Sequence, residues 1–161
     1  MKPVHPILVH FPIALLTVSV AADAVGHFGD VESLRHTGAW TLLGAALGGV
    51  AAVAAGIYDM RRAPLDEAVH PRVHVHMRVG LALLSAILAM AAWRWRLLSA
   101  GTAIVPMAYL DCGVLVVALA AFQGWLGGEL VYTHGVFVRT NTRAGAEDGK
   151  APSGDVHEHH H

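Results

Sequence analysis

Four apolar stretches, each long enough to cross a bilayer, leave this chain little choice of architecture. A spanning helix needs about 20 mostly apolar residues. The stretches run roughly over 6–25, 37–58, 77–95 and 106–128. The links between them, around 29–36, 59–76 and 96–105, are too short to fold as domains. Short links favour antiparallel neighbours. The expectation is an all-α integral-membrane four-helix up-down bundle with both termini on one side. The spanning domain covers 1–139, and 140–161 is a polar tail that reads as disordered. The tail ends in "VHEHHH", a weak metal binder or an expression tag.

Composition agrees. Charged residues are 14% of the chain and apolar ones 55%, against about 25% charged in soluble domains. A net charge of −1 gives no polycation to attract nucleic acid. The single cysteine, Cys112, excludes an internal disulfide and any Cys-rich zinc motif. The N-terminus has signal-peptide features, with Lys2, an apolar run and Ala22-Asp23-Ala24. Pro12 and two histidines inside that run favour a retained span instead, and cleavage would leave three spans.

Gly44, Gly48, Ala52 and Gly56 recur every four residues in the second span, and Ala120, Gly124 and Gly128 do so in the fourth. Such stripes let helix backbones approach closely, within one bundle or across a homodimer. Orientation follows from the basic residues. The side of the termini and the 59–76 link carries Lys2, Arg61, Arg62, Arg72, Arg78, Arg139, Arg143 and Lys150; the other side carries Arg35, Arg94 and Arg96. Positive residues stay in the cytoplasm. Both termini are therefore expected there, in a multi-pass protein of the bacterial inner membrane.

Twelve histidines are the compositional oddity. His5, His10, His70, His74, His76 and His134 fall on the side of the termini, with Asp59 and Glu129; only His27 and His36 lie opposite. On a helix His10 shares a face with Ala14, Thr17 and Ala21, and His76 with Gly80, Leu83 and Ile87. His134 aligns with Gly127, Gln123 and Ala120 if its helix continues that far, and otherwise sits in a folded-back loop. His74 points with Arg78 towards headgroups or water, His70 reads as a helix cap before Pro71, and His5 as an interfacial residue. His10, His76 and His134 are the inward candidates. Each histidine alone is more simply a hydrogen-bonding group than a ligand, but polar groups gathered at membrane depth tend to mark sites.

"HPILVHFPIALL" at 5–16, "GIYD" at 56–59 and "GWLGGELVYTHGV" at 124–136 resemble motifs of the bacterial integral-membrane family called domain of unknown function 2231. The likeness covers about 5–138. Thr133 stands where the pattern has a basic residue and Phe137 where it has Gly. "HPRVHVHMR" offers three candidates for the third-span histidine, of which His76 is one. The resemblance implies a four-helix membrane protein and no established activity. Relatives joined to c-type cytochrome domains imply redox chemistry, although this chain has no Cys-x-x-Cys-His.

Two readings of the cluster compete. The first is a b-type haem held by His10 with His76 or His134, carrying electrons to or from a cytochrome or quinone partner. Ala14, Gly80 and Gly127 would give the macrocycle room, and Arg72, Arg78 or Arg139 would pair with its propionates. The second is a bare divalent transition metal, its ligands drawn from His10, His74, His76, Asp59, Glu129 and His134. A structural accessory subunit is the plain alternative. A transporter is disfavoured, because Asp23 lies about 140° around its helix from His10 and Asp111 about 120° from Gln123. Ser19 and Ser85 have no hydrolase motif around them. The chain thus reads as a redox carrier or binding protein rather than a hydrolase or transferase.

Overall fold

The computed structural model describes residues 5–62 and 70–132. Their regular structure is all helical: α1 (His5–Leu8), α2 (His10–Phe28), α3 (Glu32–Arg62), α4 (His70–Ser99) and α5 (Met107–Tyr132). Together α1 and α2 make one apolar span, and α3, α4 and α5 make one each. The tail and His134 lie outside the described residues.

The break at Val9 has a local cause. Pro12 has no N–H for the carbonyl of Leu8, and its ring crowds that carbonyl. The first span therefore divides into α1 and α2, with Pro12 itself in the first turn of α2, where proline is tolerated. At the far end, Gly29 to Val31 turn the chain from α2 into α3, with Asp30 at φ 52° and its carboxylate paired to Arg35. The Arg35 Nε donates to the Gly26 carbonyl at 3.0 Å, satisfying an open carbonyl at the end of α2. Helix α4 ends in a Schellman turn. There Thr102 N–H bonds Leu97 O, Gly101 N–H bonds Leu98 O, and Gly101 has φ 75°.

The helices pack in a ring, α2 on α3, α3 on α4, α4 on α5, and α5 back on α2. This is the up-down arrangement. Its interior follows alternating steps of three and four residues. In α2 the buried positions include Pro12, Leu16, Ser19, Asp23 and Gly26; in α3, Gly38, Leu42, Ala45, Ala52 and Asp59. In α4 they are Leu83, Ile87, Met90 and Arg94, and in α5 Tyr109, Gly113, Val116 and Ala120 are in phase. A repeat near 3.5 keeps one seam facing inward along antiparallel helices. The middle of the seam is apolar, built on Leu16, Leu42, Leu83, Ile87, Val116 and Ala120. Polar residues continue it at both ends.

The glycine stripe of α3 is used inside the bundle. A Cβ on Gly44 would stand 2.9 Å from Leu15, and one on Gly48 3.4 Å from Pro12. The α5 stripe divides: Ala120 is buried, whereas Gly124 meets nothing within 4 Å.

Candidate functional site

At the end of the bundle where the first span begins, His5, Asp59, His76 and Gln123 come together from four helices. Asp59 accepts the main-chain N–H of His5 at 2.9 Å. The His5 Nδ1 donates to the Ala52 carbonyl at 2.7 Å. A carbonyl can only accept, so this bond sets the tautomer and leaves His5 Nε2 with a lone pair. The His76 ring stands edge-on to His5, with centroids 6.1 Å apart and planes at 89°. The Gln123 amide nitrogen lies 3.2 Å from His76 Nε2 and 3.0 Å from the His76 carbonyl. The amide thus donates twice to one residue. His76 Nδ1 and Gln123 Oε1 are buried without a hydrogen-bond partner.

Three glycines make this assembly possible. A Cβ on Gly56 would meet the His5 ring at 3.0 Å. One on Gly80 would meet Gln123 at 2.8 Å, and one on Gly127 would meet His76 at 3.2 Å. Each glycine receives one polar side chain from a neighbouring helix. The room at Gly80 and Gly127, expected for a macrocycle, is filled by Gln123 and His76.

The other candidates fall elsewhere. His10 is exposed, and so are Ala14, Thr17 and Ala21, which corrects the expectation that this face looks inward. The His10 Nδ1 is spent on the Pro6 carbonyl of the same span at 2.8 Å. The true inward face of α2 carries Leu16, Ser19 and Asp23. Lipid tails are as apolar as a bundle core, so a small, slightly polar face is no guide to the interior. His74 packs against His70, ring centroids 4.8 Å apart. Glu129 lines an open groove of about 270 Å³ beside Arg72, Val75 and Trp125. Among the described residues no three His, Cys, Asp or Glu side chains form a group that could hold a metal ion.

A second polar cluster occupies the opposite end. Arg94 is 2% exposed and Asp23 1%, with nitrogen and oxygen 3.0 Å apart. Arg94 also donates to the carbonyls of Ala103 at 2.8 Å and Arg35 at 2.6 Å. Ser19 donates to the Gly38 carbonyl at 2.8 Å, and His27 Nδ1 to the Val105 carbonyl at 2.9 Å. The link before α5 is thereby drawn over this end, with Val105 buried. Asp111, grouped with Asp23 by sequence, is exposed.

Residues 1–140 match the family described as "Predicted membrane protein (DUF2231)". The chain belongs to the DUF2231 family. No curated protein and no solved structure matches it. As a DUF2231 protein it is an integral membrane protein of a family without assigned function. The motifs that resemble the family now have a common location. His5 opens the first and rests on Gly56 and Asp59, the ends of "GIYD"; Gly127 of the last receives His76.

His5 and Gln123 are the members of this cluster that helical phase alone passed over as candidates. A signal for His5 was present. It lies seven residues before Pro12, which lies seven before Ser19, so it continues the α2 seam backwards across the break. Gln123 is likewise seven beyond Val116 in the α5 seam.

Proposed function

We propose that this DUF2231 protein binds a transition-metal ion at the end of the bundle where the first span begins, with His5 as one ligand and His76 as the other once the Gln123 amide releases its Nε2. The observation that carries the reading is the His5 bond to Ala52. Metal-ligating histidines characteristically give their second ring N–H to a carbonyl or carboxylate, which aims the other nitrogen at the metal. Here the Ala52 carbonyl does so, and Asp59 holds the His5 backbone. The separation of the two rings supports the same reading. Metal–nitrogen bonds of about 2 Å on either side of one ion place two imidazole centroids roughly 6 Å apart. Imidazole ligation suits zinc, iron, copper and nickel. Water or His134, which lies outside the described residues, would complete the coordination.

Haem iron takes the same pair of axial imidazoles, and the ring separation supports that second reading equally. Electron transfer with a cytochrome or quinone partner belongs to it. The filled space beside Gly80 and Gly127 favours the bare ion, because a macrocycle would have to displace Gln123. Metal analysis and an absorbance spectrum of protein purified without chelators separate the two. Stoichiometric metal without a Soret band supports the bare ion, a Soret band supports haem, and neither removes both.

The positive-inside count places the imidazole end at the cytoplasmic face of a bacterial inner membrane. The far end supports that count further, since Arg94 there is spent inside the bundle on Asp23.

A further inference from the structure

The Asp23–Arg94 pair is incompletely satisfied by the protein around it. Both Asp23 oxygens, Arg94 Nε and the Tyr109 hydroxyl are buried without a hydrogen-bond partner. The 3.0 Å contact of Arg94 with Asp23 is an ion pair without hydrogen-bond alignment. Tyr109 is 1% exposed and within electrostatic reach of both charges. Three helices supply these groups, and the fourth presses on them, because Gly38 of α3 lies directly against the Asp23 carboxylate. A buried ion pair is tolerable only when further hydrogen bonds occupy its remaining donors and acceptors.

We infer that this node is the binding site of one internal water molecule, held between Asp23, Arg94 and Tyr109. The chemistry of the three groups matches water. A carboxylate accepts, Arg94 Nε donates, and a phenol does either. Water donates two hydrogen bonds and accepts two, and buried waters take about three from otherwise unsatisfied groups. No other ligand suits as well. An anion would face Asp23 and a cation Arg94. The link over Ala103 and Val105 closes the site, so its water exchanges only when that end opens.

The site lies across the apolar middle of the bundle from the imidazoles and is independent of the metal reading. Its role is to let α2, α4 and α5 converge on a charge pair without leaving polar atoms bare. Infrared difference spectra of the protein in H2(16)O and H2(18)O test it. The expected result is an O–H stretching band that shifts with the isotope, persists after brief exchange, and is lost in Tyr109→Phe. Thermal unfolding gives a second reading. Removing a water-bridged hydroxyl lowers Tm by about 2–4 °C, whereas removing a bare one leaves Tm unchanged or raised. Absence of the isotope-sensitive band, or a Tyr109→Phe protein as stable as the parent, overturns the inference.

Discussion

The Nδ1 of His5 donates to the carbonyl of Ala52 at 2.7 Å, across the contact between the start of the first span and α3. That carbonyl belongs to the glycine-and-alanine stripe that lets the two spans approach closely. Close packing and the presentation of an imidazole therefore have one origin. With Ala52 fixed by the helix and Asp59 holding the His5 N–H, the ring has little freedom, and its Nε2 faces a defined direction. Preorganisation of this kind is what a ligand site needs.

The glycines divide by what faces them. Gly124 has nothing within 4 Å of a built Cβ, and alanine there should stabilise by about 0.5–1 kcal/mol, the usual gain of alanine over glycine in a helix. Gly38 lies against the Asp23 carboxylate. Alanine there should destabilise by at least about 1–3 kcal/mol, because backbone and a paired side chain must both move. Unfolding in detergent by denaturant measures both, and an equal response at the two positions would remove the distinction.

The Asp23–Arg94 pair should behave as a buried charge pair. Arg94→Ala leaves a carboxylate alone at 1% exposure and should cost about 3–5 kcal/mol. Asp23→Leu combined with Arg94→Met removes both charges, and should recover most of that loss. A double variant no better than Arg94→Ala would show that the charges themselves are required.

Orientation is open to a direct check. With eight basic residues on the side of the termini against three opposite, fusions at the C-terminus should be active with a cytoplasmic reporter and silent with a periplasmic one. The reverse pattern would put the imidazole end outside the cell.

Gly56, Gly80 and Gly127 test the cluster without touching its polar groups. A methyl at Gly80 would stand 2.8 Å from the Gln123 amide and one at Gly127 3.2 Å from His76. Gly127→Ala, whose methyl meets the ligand His76, should therefore lower metal retention more than Gly80→Ala, whose methyl meets only the flexible end of Gln123, with helix content unchanged by circular dichroism. Full retention in both would separate the metal from the His76–Gln123 pair.

The spans were legible because lipid imposes their length and composition. The helices run three to seven residues past the apolar stretches at most ends, as α3 does from Glu32 to Arg62, since backbone bonding continues into the interface where side chains turn polar. The inward faces were harder to read. In water an apolar face marks the core, but in lipid both faces are apolar, and the small neighbours of His10 point inward in the sequence without marking the core. His76 shares the face of Leu83 and Ile87, two large residues that are buried. His5 reads as interfacial because it precedes Pro6 at the start of the first span, and the break at Pro12 hides the phase it shares with the α2 seam. Gln123 serves in the sequence as a neighbour of His134 and a reference for Asp111, since a lone amide carries no motif.

The metal content of four purified proteins tests the central claim most directly. Wild type, His5→Ala, His76→Ala and His10→Ala would be prepared from the same membranes and assayed by elemental analysis. The account predicts about one transition-metal ion per chain in wild type and in His10→Ala, with its loss from His5→Ala and His76→Ala. Metal retained by both His5→Ala and His76→Ala, or lost from His10→Ala alone, would contradict it.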